Sequence, residues 1–150
     1  MSPPPITRQM VIDQLGPGSG KPIWMEVKGF SMYPSLRPGD RVEVEGASPA
    51  DFRLGDLAVV DAGEAGWVIH RFFGWRAGQP RLPHTKGDAS PRFDPVWAGA
   101  RLLGRVRAFE RGGRRHPVRR GWSTLPWVVR SLLVLVWGRL RNLCPAGTPR

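Results

Sequence analysis

Between residues 22 and 110 the apolar positions come in short runs, alternating or rich in β-branched side chains: Ile23 to Val27, Val42 to Val44, Leu57 to Val60, Trp67 to Phe73 and Leu102 to Phe109. Runs of this length fit strands. Turn formers separate them at Pro38-Gly39-Asp40, Gly63, Gly78 to Pro80 and Gly87-Asp88. No helical periodicity long enough for a crossover lies between the runs, so hairpin connections and antiparallel pairing follow. The pattern predicts a mainly β, antiparallel, partly closed fold.

The two ends differ from this centre. Residues 1–21 carry Pro3 to Pro5 and Gly16 to Gly20, leave room for at most a short turn of helix, and read as a flexible leader without an apolar targeting run. Residues 122–142 hold the one sustained apolar stretch, in which a helix starting near Pro126 suits proline at a first-turn position. The expected organisation is a leader at 1–21, a β-domain at 22–110, an arginine-rich linker at 111–121, a hydrophobic or interfacial helix at 122–142 and a tail at 143–150. Crossing a bilayer takes about 20 predominantly apolar residues. With Arg130 inside the stretch and Arg139 and Arg141 behind it, an interfacial helix is the first reading, a span the second and a helix docked on the sheet the third.

Composition sharpens this picture. The 150 residues include 19 Gly and 16 Pro, too many for a helical bundle. The net charge is +11, carried almost wholly by arginine, which makes nucleic acid or anionic lipid the partners to weigh. Arg101, Arg105, Arg107, Arg111, Arg114, Arg115, Arg119 and Arg120 crowd the approach to the last apolar stretch, which favours an anionic membrane surface over nucleic acid. A lone cysteine, Cys144, permits no intrachain disulfide. Nothing in the pattern asks for a metal or a cofactor.

The chemistry concentrates in three segments. Ser31 follows the first predicted strand within a turn-rich stretch, Gly29-Phe30-Ser31-Met32-Tyr33-Pro34-Ser35-Leu36-Arg37-Pro38-Gly39-Asp40. A serine hydroxyl needs an adjacent base to act as a nucleophile; otherwise such a serine is a turn former. This segment resembles the nucleophile box of type I signal peptidases and self-cleaving repressor peptidases, G-x-S-M-x-P-x-L-x-x-G-D, at every fixed position. In the second segment, Trp67-Val68-Ile69-His70-Arg71-Phe72-Phe73, histidine stands where the usual bacterial enzymes place lysine. That is similar to the endoplasmic-reticulum, archaeal and sporulation-type branch, which uses a Ser/His pair. An imidazole, with an ordinary pKa of about 6.5, needs less desolvation than a lysine near about 10.4 to serve as a base at neutral pH.

The third segment, Thr85-Lys86-Gly87-Asp88-Ala89-Ser90-Pro91-Arg92-Phe93-Asp94, resembles the family's T-K-G-D-x-x-x-x-x-D box. A neutral imidazole base calls for a carboxylate on its other nitrogen. The resemblance implies Asp94 for that role first and Asp88 second, and it aligns Lys86 with the turn rather than with the base. The backbone amide of Ser31 is the implied oxyanion donor, with Met32 and Gly29 beside it. Many family members carry a serine at the position of Gly29, whose hydroxyl helps the oxyanion. Further matches, Arg53 to Val60 and Leu103-Gly104-Arg105-Val106, extend the resemblance over residues 25–107. His84 and His116 match no family position.

The resemblance implies a membrane-associated serine endopeptidase acting on signal or leader peptides of precursor proteins. Signal peptidases act on the outer face, whereas dense arginine beside a hydrophobic segment is expected to stay cytoplasmic, so the side is left open, as is any partner subunit. Two other readings stand beside it: a catalytically inactive membrane-bound binding module, and a self-cleaving repressor, for which residues 1–21 leave no room for a DNA-binding module.

Overall fold

The computed structural model describes residues 8–15, 20–97 and 99–143. The prolines of the leader, Gly16 to Ser19, and the tail from Cys144 onward lie outside the described residues. Seven strands form one antiparallel sheet: β1 (Ile23–Glu26), β2 (Arg41–Gly46), β3 (Leu57–Asp61), β4 (Trp67–Arg76), β5 (Gln79–Lys86), β6 (Arg101–Arg111) and β7 (Arg114–Pro117). The order is β1-β2-β6-β3-β4-β5, with β7 added to β6. Two helices, α1 (Arg8–Leu15) and α2 (Leu125–Leu143), flank the strands.

The sheet is open rather than partly closed, because β1 and β5 end the strand order at opposite edges without pairing to each other. Its centre is β3, in which all five residues are buried. Leu57 and Val59 join the larger core with Val42, Val44, Val106, Met32 and Leu36, while Ala58 and Val60 join Phe52 and Phe72 in a second cluster. The period of two thus feeds apolar side chains to both faces, as expected of a strand covered on each side.

Three segments depart from the expected organisation. The leader contains α1, whose Val11 and Leu15, one helical turn apart, are 1% and 3% exposed in the larger core. Residues 111–121, expected as a linker, complete β6 and hold β7 and the start of a 3₁₀ turn. The arginines there meet acids across the sheet: Arg105 pairs with Glu45, Arg111 with Asp40, Arg115 with Glu43 and Arg120 with Asp56. Much of the positive run therefore neutralises buried or half-buried carboxylates. The last helix is mixed rather than simply hydrophobic, carrying Arg130, Arg139 and Arg141 among its apolar residues. Among the described residues no helix is long and apolar enough to cross a membrane.

Candidate active site

The loop from β1 to β2 is tied at its base, where Val27 N–H donates to Asp40 O at 2.8 Å and Gly39 N–H to Val27 O at 2.8 Å. Within it Leu36 N–H donates to Met32 O at 3.0 Å, closing a helical turn whose Met32 and Leu36 side chains are buried. These two plugs hold the turn down while Ser31, one residue earlier, stays exposed. The Asp40 carboxylate accepts from Arg37 N–H at 2.8 Å and from Arg111 at 2.9 and 2.6 Å. Burial alone would raise the Asp40 carboxyl, but these hydrogen bonds and charges hold it below its ordinary 3.8. Its stabilising contribution is therefore present above pH 3.8 and is lost as the pH falls through the lower value of the folded carboxyl.

His70 comes from the middle of β4, paired opposite Ala58 of the buried β3. Its Nε2 lies 3.0 Å from Ser31 Oγ and its Nδ1 lies 2.6 Å from Asp94 Oδ2. With the carboxylate accepting from Nδ1–H, the Nε2 lone pair faces the serine hydroxyl, which is the tautomer a base needs. Asp94 is fixed in turn: Thr85 Oγ1 donates to its Oδ2 at 2.6 Å, and its own N–H donates to Thr85 O at 2.9 Å. The side chains of His70 and Asp94 are only 11% and 8% exposed. A shielded base and acid thus back an accessible hydroxyl.

The other aspartate sits elsewhere. Asp88 accepts from Arg71 Nε at 2.7 Å and Nη2 at 2.6 Å, and it also accepts from the Ser35 hydroxyl. Arg71 spends a further N–H on Gly55 O at 2.8 Å. Asp88 is therefore a brace between β4, the serine turn and the loop after β5, and it makes no hydrogen bond to His70 among the described residues. Between them, Ala89 N–H donates to Ser31 O at 2.8 Å, and a Cβ on Gly87 would lie 2.7 Å from the same oxygen. Glycine at 87 is what lets the third box lie against the serine.

Lys86 is wholly enclosed, its ammonium donating to Gly87 O at 3.0 Å and to Ser131 Oγ of α2 at 2.8 Å. Burial lowers its pKa below the ordinary lysine value, against an upward pull from Asp88 and Asp94. Ser131→Ala leaves that ammonium one donor short of partners, so a loss of about 1–3 kcal/mol is expected in denaturant unfolding. Adding Lys86→Met removes the buried charge as well and should recover most of it.

Sequence reasoning named Ser31, His70, Asp94, Asp88, Met32 and Gly29; the first three meet, Asp88 braces, and Met32 anchors the turn from below. Thr85, Ser35 and Ser131 went unassigned. Only Thr85 carried a signal, as the first residue of a matched box. His84 stacks on Phe93 and His116 on Phe109, away from the Ser31–His70 pair.

A cleft of about 580 Å³ opens at Ser31, lined by β1, Gly29, Met32, Leu36, Trp67 to Ile69 and α1. A Cβ on Gly29 would have no heavy atom within 4 Å. Gly29→Ser should therefore be accommodated and, by adding a hydroxyl near the developing oxyanion, raise kcat about tenfold on any peptide the protein cleaves. Gly29→Ala, which fits equally, should leave kcat unchanged. Compared with protein-family models, curated proteins and solved structures, the chain matches none.

Proposed function

We propose that the chain is a serine endopeptidase that resembles type I signal peptidases of the Ser/His branch and cuts signal or leader peptides from precursor proteins. The observation that carries the reading is His70 bridging Ser31 and Asp94 at 3.0 and 2.6 Å beside an open cleft.

In the reaction Ser31 Oγ attacks the scissile carbonyl while its proton passes to His70 Nε2, and Asp94 stabilises the imidazolium. The tetrahedral intermediate collapses as His70 returns the proton to the leaving amine, which departs and leaves an acyl ester on Ser31. Water then enters, gives a proton to the same imidazole and hydrolyses the ester, restoring the serine. No metal or cofactor takes part in this scheme. As the family resemblance implies, the preferred bonds would follow small residues.

The competing reading, an inactive membrane-bound binding module, is favoured by Gly29, which offers no hydroxyl to an oxyanion. Digestion of a peptide library, with cut sites mapped by mass spectrometry, separates the two. Cleavage after small residues by the wild type and none by Ser31→Ala is expected; an inert wild type, or equal cutting by Ser31→Ala, would sink the peptidase reading.

A further inference from the structure

Helix α2 meets the domain along one narrow face. Val128 packs near Gly55, where a Cβ would lie 3.3 Å from its Cγ2; Ser131 holds Lys86; and Gly138 lies against Pro91, where a Cβ would sit 2.5 Å away. Val128 and Ser131 are 4% and 0% exposed. The opposite side is apolar and open: Leu125, Val129, Leu133, Val136, Trp137 and Leu140 are all 45% exposed or more.

At about 100° per residue these six positions share one sector roughly 120° wide, centred away from the docked face. Arg130 and Arg141 border it on one side and Arg139 on the other, all exposed. Helix α2 contains no acidic residue. We infer that this sector is a docking surface for an anionic phospholipid bilayer, on which α2 lies flat with its apolar side chains among the acyl chains and its arginines at the headgroups.

Charge decides the occupant. A second copy pairing through the same sector would set arginines against arginines with no carboxylate on the helix to answer them. Anionic headgroups satisfy all three, while the arginine stems lie along the apolar sector. Spanning is disfavoured by the docked face, since withdrawing Ser131 would strand the buried Lys86 ammonium. The surface does not depend on the catalytic reading. It does hold the strand ending at Lys86, next to the glycine that packs on Ser31, to the membrane-facing helix.

The test is flotation of the full chain, exchanged from mild detergent, with vesicles of phosphatidylcholine alone or mixed with phosphatidylglycerol. Binding to the anionic vesicles, weakened by salt, is expected, with little binding to the neutral ones. The triple variant Arg130→Gln/Arg139→Gln/Arg141→Gln should lose about a hundredfold in partitioning, at roughly fivefold per arginine. Leu133→Glu/Val136→Glu should abolish binding with an unchanged circular dichroism spectrum, because both residues face outward. Equal flotation with neutral vesicles, resistance to alkaline extraction as for a span, no flotation with either vesicle, or a soluble dimer that Leu133→Glu dissociates would each overturn the proposal.

Discussion

Asp94→Asn is expected to lower kcat by about four orders of magnitude on a peptide the wild type cleaves, with little change in KM. An amide at this position can still hydrogen-bond Nδ1, but the Thr85 hydroxyl competes for its one oxygen. If its NH₂ group faces the ring, Nδ1 becomes the acceptor and the proton moves to Nε2, where it blocks the transfer from Ser31. The imidazolium formed during attack also loses its counter-charge in a site where both side chains are nearly buried. Stability should change far less than rate, because the backbone hydrogen bond between residues 94 and 85 survives. Steady-state kinetics beside thermal unfolding checks both parts.

Asp88→Ala should do the reverse, costing about 3–5 kcal/mol of stability and lowering Tm by roughly 10 °C. The Arg71–Asp88 pair has side chains 4% and 1% exposed, so deleting the carboxylate leaves a guanidinium buried with only Gly55 O and the Ser35 hydroxyl for partners. Replacing both with apolar residues, as in Arg71→Leu/Asp88→Leu, should be milder than the single deletion, since no charge is stranded. Denaturant unfolding of the two variants measures the difference. If Asp88→Ala instead kept its stability and lost only rate, Asp88 rather than Asp94 would be the acid that serves His70.

The contrast between the two aspartates shows what can be read from the chain. Their spacing alone left both eligible; the family resemblance favoured Asp94, and the geometry separates them because Asp94 returns to β5 beside Thr85 while Asp88 turns toward Arg71. The five strand runs were legible because each alternates or is continuously β-branched. Strand β5 was not, since Gly78, Pro80 and Pro83 read as turn; it tolerates proline because it lies at the sheet edge. Strand β7 hid in a run of arginines whose partners lie far off in β2 and its flanking loop. Helix α1 hid because eight residues with two core anchors give little periodicity. The link from Ser131 to Lys86 spans 45 positions and depends on how α2 docks, which no local pattern records.

The central claim is that Ser31 attacks with His70 as its base. The most direct measurement is kcat/KM for wild type, Ser31→Ala, His70→Ala and Lys86→Met on one cleaved peptide. Losses of about 10⁴-fold or more in the first two variants are predicted, with most activity kept by Lys86→Met. Cleavage that survives His70→Ala but vanishes with Lys86→Met, or that persists in Ser31→Ala, would contradict the account.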